Sequence, residues 1–184
     1  MSIATTLITA EEYAKMPDTG RPTELVRGRI VEMNVPIPKH GYVCLNAGAI
    51  LRDFVRRSDL GRAFSNDSGV ITERDPDTVR GPDVWYVSYQ KLPKGPLPDK
   101  YLDVVPDLAI EVLSPDDRWS RVFKKVSEYL CLGVPVVCVL DPDSQTAELF
   151  YPDAPGRHTL SADDELTFPE VLPGFSVRVG ELFK

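Results

Sequence analysis

Two apolar rhythms alternate along the chain, one near the helical period and one of short runs bounded by turn residues. Val43, Ala47, Ile50, Leu51 and Phe54 recur at helical spacing and predict a long helix from about Lys39 to Arg57. In "DDRWSRVFKKVSEYLCLG", Val122, Val126, Tyr129 and Leu130 fall on one stripe and predict a second. Thr9 followed by Glu12 is a capping-box pattern and predicts a short helix from about Ala10 to Met16. Between these lie strand patterns. "ELVRGRIVEM" reads as two strands joined by a tight turn at Arg27-Gly28. Residues 62–66, 69–72, 83–88 and 107–114 are further candidates, and "VPVVCVLDP" reads as a buried strand. The three prolines of "YQKLPKGPLPDKY" exclude regular structure and predict a long loop.

The tail from Gln145 reads as short strands and turns, in "TAELFYPD", "GRHTL" and "FSVRVGELF". With 184 residues and no shift in composition, one domain is the expectation. It divides into an N-terminal helix and hairpin (9–34), a core (39–141) and C-terminal strands (145–184). The order of elements predicts an α/β fold, a mixed sheet flanked by helices.

One residue breaks the apolar pattern. "PDLAIEVLSPDD" places Glu111 inside a run that otherwise reads as a buried strand, where an ionised carboxylate costs several kcal/mol. A divalent metal shared with a second acid would compensate it. Asp83, in "GPDVWYVS", stands at the start of another strand. Adjacent antiparallel strands joined by the proline-rich loop would bring the two acids together. A buried arginine partner for Glu111 is the plainer alternative.

Charge and cysteines narrow the classes. The net charge of −7 and pI near 4.9 argue against a globally polyanion-binding protein, so a nucleic-acid partner needs a local basic patch. Arg52, Arg56, Arg57 and Arg62, with Arg118, Arg121, Lys124 and Lys125, are the candidates, and equally ordinary solvated helix faces. Cys44, Cys131 and Cys138 form no C-x-x-C pair and read as buried free thiols in a reducing compartment. "MSIATTLITAEEY" lacks the pattern of a signal peptide, and "GVPVVCVL" is too short to span a bilayer, so the expected location is cytoplasmic, with no membrane partner.

Alternation puts Ala109, Glu111 and Leu113 on one face of their strand, and Ile110 and Val112 on the other. In metal-dependent nucleases with an Asp…(Asp/Glu)-x-Lys arrangement, the position two after the acid holds lysine; here it is Leu113. The following helix offers a substitute. At about 100° per residue, Lys125 lies near the edge of the apolar stripe and can reach along the sheet toward Glu111, whereas Lys124 points to solvent. A boundary lysine whose stem covers apolar surface would look the same.

"RGPDVWYV", "PDLAIEVLSP" and "KVSEYLCLGVPVVCVLDP" together resemble the Uma family of endonucleases, within the PD-(D/E)xK, restriction-endonuclease-like superfamily. The resemblance runs from about Glu11 to the end of the chain, and "TELVRGRIVEM" is similar to the family's opening segment. It implies a restriction-endonuclease-like fold with additional N- and C-terminal strands. It also implies a lysine displaced from strand to helix four residues before a tyrosine, a spacing that Lys125 and Tyr129 match. His40 matches a histidine often found before the family's first helix. Arg121 and the absence of an aromatic pair in "VVCVLDP" depart from the pattern.

The function expected on this basis is Mg²⁺- or Mn²⁺-dependent hydrolysis of phosphodiester bonds, with DNA as partner. Asp83 and Glu111, helped by a backbone carbonyl near Val112, would hold the metal, and Lys125 would orient water and stabilise the transition state. Glu24 and His40 are supporting candidates, although strand-edge solvation accounts for Glu24 equally well, and a histidine before a helix is more often a capping or surface residue than a ligand. Ser114 reads as a cap, Asp107 lies at the far end of its strand, and Asp141 opens a turn. A homodimer would suit cleavage of both strands of a duplex. Two rivals stand beside the nuclease: a catalytically silent module that binds nucleic acid or protein, and a hydrolase of small phosphate esters.

Overall fold

Local chemistry sets most of the element boundaries in the computed structural model, which describes residues 7–17, 20–115, 117–154 and 156–184. The first helix, α1 (Ala10–Tyr13), opens with the complete capping box: Thr9 accepts from the Glu12 amide, and the Glu12 carboxylate accepts from the Thr9 amide. It is shorter than the predicted 10–16, ending in turns before Pro17. Strands β1 (Thr23–Val26) and β2 (Arg29–Glu32) form the predicted hairpin. Its turn residues Arg27 and Gly28 both have positive φ, 50° and 71°, the geometry that matches the twist of flanking strands.

Helix α2 (Pro38–Arg57) begins with Pro at its first position, where the missing N–H costs nothing. It buries Val43, Ala47, Leu51 and Val55, as the period demands. Next come β3 (Gly61–Ser65), β4 (Val70–Glu73), β5 (Thr78–Arg80), β6 (Val84–Ser88) and β7 (Leu108–Val112). Helix α3 (Trp119–Leu132) follows and ends at Gly133, whose φ of 101° supplies the left-handed cap. The chain closes with β8 (Val137–Asp141), β9 (Thr146–Phe150), β10 (His158–Leu160), β11 (Glu165–Phe168), β12 (Leu172–Arg178) and a 3₁₀ turn, Val179–Phe183.

Two strands are additional to the sequence reading, β5 and β11. Each is at most four residues long and lies among acids and turn residues, too short for a period to show.

The central sheet has the order β10-β9-β8-β7-β6-β3. β6 and β7 are antiparallel, as the reading of the proline-rich loop required, and β7 and β8 are parallel across α3. A second sheet, β2-β1-β5-β4, holds the N-terminal hairpin, and β11 and β12 form a ribbon. The β7 alternation is as expected. Ile110 and Val112 join the core under α2, whereas Ala109 joins the one under α3 with Val122, Val126 and Tyr129. Each of those α3 side chains contributes roughly 1.5–3 kcal/mol by leaving water, and together they press α3 onto the Glu111 face.

One reading needs correction. Cys131 is exposed, because it falls on the solvent side of α3, while Cys44 is partly and Cys138 fully buried. Ser114, read as the cap of a turn or of the helix, belongs to the turn: α3 starts after Arg118, the Ser114 amide donates to the Asp117 carboxylate, and the Ser114 carbonyl accepts from the Asp117 amide.

Candidate active site

Glu111 sits in one of the two central strands of a six-stranded sheet and is 7% exposed. Its partners both come from α3. Lys125 Nζ lies 3.1 Å from Oε2, and the Tyr129 hydroxyl donates to Oε1 at 2.7 Å. Lys125 and Tyr129 are one helical turn apart, so their side chains descend side by side onto the carboxylate. Lys124, one residue away, is exposed. The arginine alternative for Glu111 is not realised: Arg80 instead grips Glu24 at 2.7 Å and Glu128 at 2.6 and 2.8 Å.

Glu24 reaches the same cluster from β1, with Lys125 Nζ 3.2 Å from its Oε1. That oxygen also accepts from the Gly81 amide, and Oε2 takes Arg80. Lys125 therefore bridges two buried acids that belong to different sheets. Burial alone would lower its pKa, but Glu111, Glu24 and Asp83 surround it and hold it charged. Glu111 has the opposite balance. Burial pushes its carboxyl up to about 7, with Asp83 adding to the rise and Lys125 and Tyr129 only partly offsetting it.

Asp83 immediately precedes β6, beside the end of β7, because Val84 pairs with Ile110. The Val112 amide donates to its Oδ2 at 2.7 Å, and His40 Nε2 lies 3.4 Å from Oδ1. Both side chains are 11% exposed. His40 lies in the first turn of α2, and the bond to Asp83 raises its pKa although burial opposes this. Cys44, one turn further along the same face, stands 3.4 Å from His40 Nδ1. Burial and the Asp83 charge keep its thiol protonated.

Four contributors escaped the sequence reading. Arg80 and Glu128 have no signal beyond being charged. Cys44 was read only as a buried thiol, yet its place four residues after His40 puts both on one face of a helix. Asp67 is the fourth. Its half-buried carboxyl is raised by burial and then by Asp83, in whose field it lies. Asn66 and Asp67 turn back through left-handed backbone, φ 59° and 53°, and Asp67 packs tightly against Gly81. A Cβ on Gly81 would stand 2.8 Å from Asp67 Cβ, so only glycine fits before Pro82-Asp83.

Residues with other assignments fall outside this cluster. Asp107 pairs with Lys91 and accepts from the Ser88 amide, and Asp141 receives the amides of its own turn. Glu32 is exposed and pairs with Arg21.

The model of the family Uma2, described as "Putative restriction endonuclease", matches residues 10–180. The chain belongs to the Uma2 family. Its fold is also that of a solved relative, the crystal structure of "a putative nuclease belonging to DUF820" from Anabaena variabilis ATCC 29413. The two superpose with a TM-score of 0.82 at 24% identity, over 96% of this chain and 97% of the other. This Uma2 chain thus has the restriction-endonuclease-like architecture that its sequence resemblance implied. No curated protein matches it. Among the described residues, no helix is long and apolar enough to cross a membrane.

Proposed function

We propose that this chain is a metal-dependent endonuclease that hydrolyses phosphodiester bonds in DNA, with Asp83, Glu111 and Lys125 as its catalytic residues. The observation that carries this reading is the Lys125–Glu111 contact at 3.1 Å: a partly buried ammonium stands beside the strand acid, in the role that Leu113 cannot fill.

The chemistry of the donors fits a hard divalent ion. Glu111 and Asp83 present carboxylate oxygens in a largely buried, acid-rich setting, where burial and then the Asp83 charge raise the Glu111 carboxyl against the pull of Lys125. These two residues would hold Mg²⁺ or Mn²⁺. When bound, such an ion supplies Lewis-acid polarisation of water and of a phosphoryl oxygen.

The protein's own groups do the rest. Tyr129 fixes the Glu111 carboxylate by holding Oε1, and the Val112 amide fixes Asp83 by holding Oδ2. Arg80 and the Gly81 amide hold Glu24, which shares Lys125 with Glu111. Lys125 is thereby kept charged and positioned to orient the attacking water and to meet the negative charge that develops on the phosphoryl oxygens.

The test is nicking of supercoiled DNA by purified protein with Mg²⁺ or Mn²⁺. Cleavage that is lost with chelator, with Glu111→Gln and with Asp83→Asn supports the reading. Retained cleavage by Glu111→Gln contradicts it. Intact binding of DNA or protein without cleavage by the unmodified chain supports the binding module instead.

A further inference from the structure

Asp83 has a second set of neighbours besides Glu111. Its Oδ1 faces His40 Nε2 at 3.4 Å, and Cys44 Sγ lies 3.9 Å from the same nitrogen. One donor atom from each of His40, Cys44 and Asp83 falls within 4.8 Å of the others. Ligands bound at about 2.0–2.3 Å in a tetrahedron stand roughly 3.3–3.6 Å apart, so small rotamer adjustments close these three around one ion.

We infer that His40 Nε2, Cys44 Sγ and Asp83 Oδ1 form a three-ligand site for a thiophilic divalent ion of the Zn²⁺ class. The donor set decides the class. Thiolate and imidazole favour Zn²⁺ and its borderline neighbours, whereas Mg²⁺ prefers oxygen donors alone. Helix α2 fixes two ligands at i and i+4 on one face, and the Val112 amide anchors Asp83 through Oδ2 so that Oδ1 stays turned toward them. Anchoring of this kind from outside the ligand set is what orients a metal-binding carboxylate. On binding, the Cys44 S–H proton passes to solvent as the sulfur–metal bond forms.

The site has a consequence for the nuclease, and this part rests on the function proposed above. Asp83 belongs to both donor sets. An ion seated between His40 and Cys44 withdraws that carboxylate from the oxygen-only pair with Glu111, so Zn²⁺ acts as an inhibitor that Mg²⁺ must displace.

The experiment uses Co²⁺ as a spectroscopic stand-in for Zn²⁺ on the full chain, with folding of each variant checked by circular dichroism. A near-ultraviolet thiolate-to-cobalt band with visible tetrahedral bands is expected in the unmodified protein. Stoichiometric Zn²⁺ should bleach them. Cys44→Ser and Cys44→Ala should each abolish the near-ultraviolet band, and Cys131→Ser should retain it. No band, or a band that survives at Cys44→Ser and vanishes at Cys131→Ser, overturns the site and leaves His40 and Asp83 as a simple ion pair. In the nicking assay, the Zn²⁺ concentration that halves Mg²⁺-supported cleavage should rise at least tenfold in Cys44→Ser. An unchanged midpoint overturns the competition. If the unmodified protein cleaves nothing with Mg²⁺, the nuclease reading fails while the cobalt spectrum still decides the site.

Discussion

Tyr129 and Glu111 are joined by a 2.7 Å hydrogen bond between two buried groups on different elements, helix α3 and strand β7. Burial, and then the Glu111 charge, hold the phenol well above its ordinary pKa, so it stays a donor. Tyr129→Phe leaves one carboxylate oxygen without that donor. The expected cost is about 1–3 kcal/mol in urea unfolding. The Glu111 pKa should rise further, as measured by carboxyl NMR titration of the metal-free protein, because the hydroxyl bond favours the charged form.

Glu111 itself gives a pH dependence with a definite sign. Its carboxyl titrates near 7 in the fold against an ordinary 4.5. Below 4.5 it is protonated in both states and costs nothing. Between 4.5 and 7 the unfolded chain gives up a proton that the folded one keeps, so stability falls as pH rises, by an amount on the order of 3 kcal/mol. Chemical denaturation of the metal-free protein across this range should show that fall. Glu111→Gln should remove it, and a divalent ion should suppress it.

Lys125 and Lys124 are neighbours with opposite fates, one partly buried against two acids and one in solvent. Lys125→Ala should reduce cleavage by roughly a hundredfold or more, the scale of losing a positioned charge at a transition state. Lys124→Ala should change only salt-dependent binding. Leu113→Lys added to Lys125→Ala should recover part of the activity by returning the charge to the strand. Nicking rates of the purified variants decide among these outcomes, and equal losses for the two alanine variants would remove Lys125 from the mechanism.

Asp77 offers a control remote from the site. Burial works to raise its pKa, but the amides of Ala10 and Asp75 and the Arg74 guanidinium outweigh this and hold the carboxyl below its ordinary 3.8. A depressed value means stability that is present above 3.8 and lost as pH falls through the folded value. Asp77→Asn should cost about 1–3 kcal/mol at pH 7, and the difference from the unmodified protein should shrink in acid. Paired urea titrations at pH 7 and pH 3 measure it.

The long helices were legible because their apolar periods span several turns, and β7 because a five-residue oily run has few alternatives. The same geometry separated Lys125 from Lys124, since a 100° step per residue needs no tertiary information. Glu24 was legible as a candidate acid, but the contacts between distant segments that place it, Asp67 and Cys44 were not. Glu24 meets Lys125 only because the N-terminal hairpin pairs with β5, a three-residue strand with no pattern of its own. Asp67 enters the field of Asp83 only because Gly81 lets a turn pack against it. Cys44 was visible as a thiol, but its nearness to Asp83 depends on where α2 lies on the sheet.

The lysine's place on α3 rather than on β7 has a consequence during folding. A lysine two residues after the acid would stand beside it as soon as one strand formed. Here the ammonium arrives only when α3 docks on the sheet, and Glu24 completes the cluster only when the hairpin joins β5. A chain with α3 undocked keeps its acids but lacks the cation between them, and one with the hairpin open keeps the Lys125–Glu111 pair but loses Glu24. On the function proposed above, cleavage therefore needs α3 docked on the sheet, and the Glu24 carboxylate that shares Lys125 comes only with the hairpin.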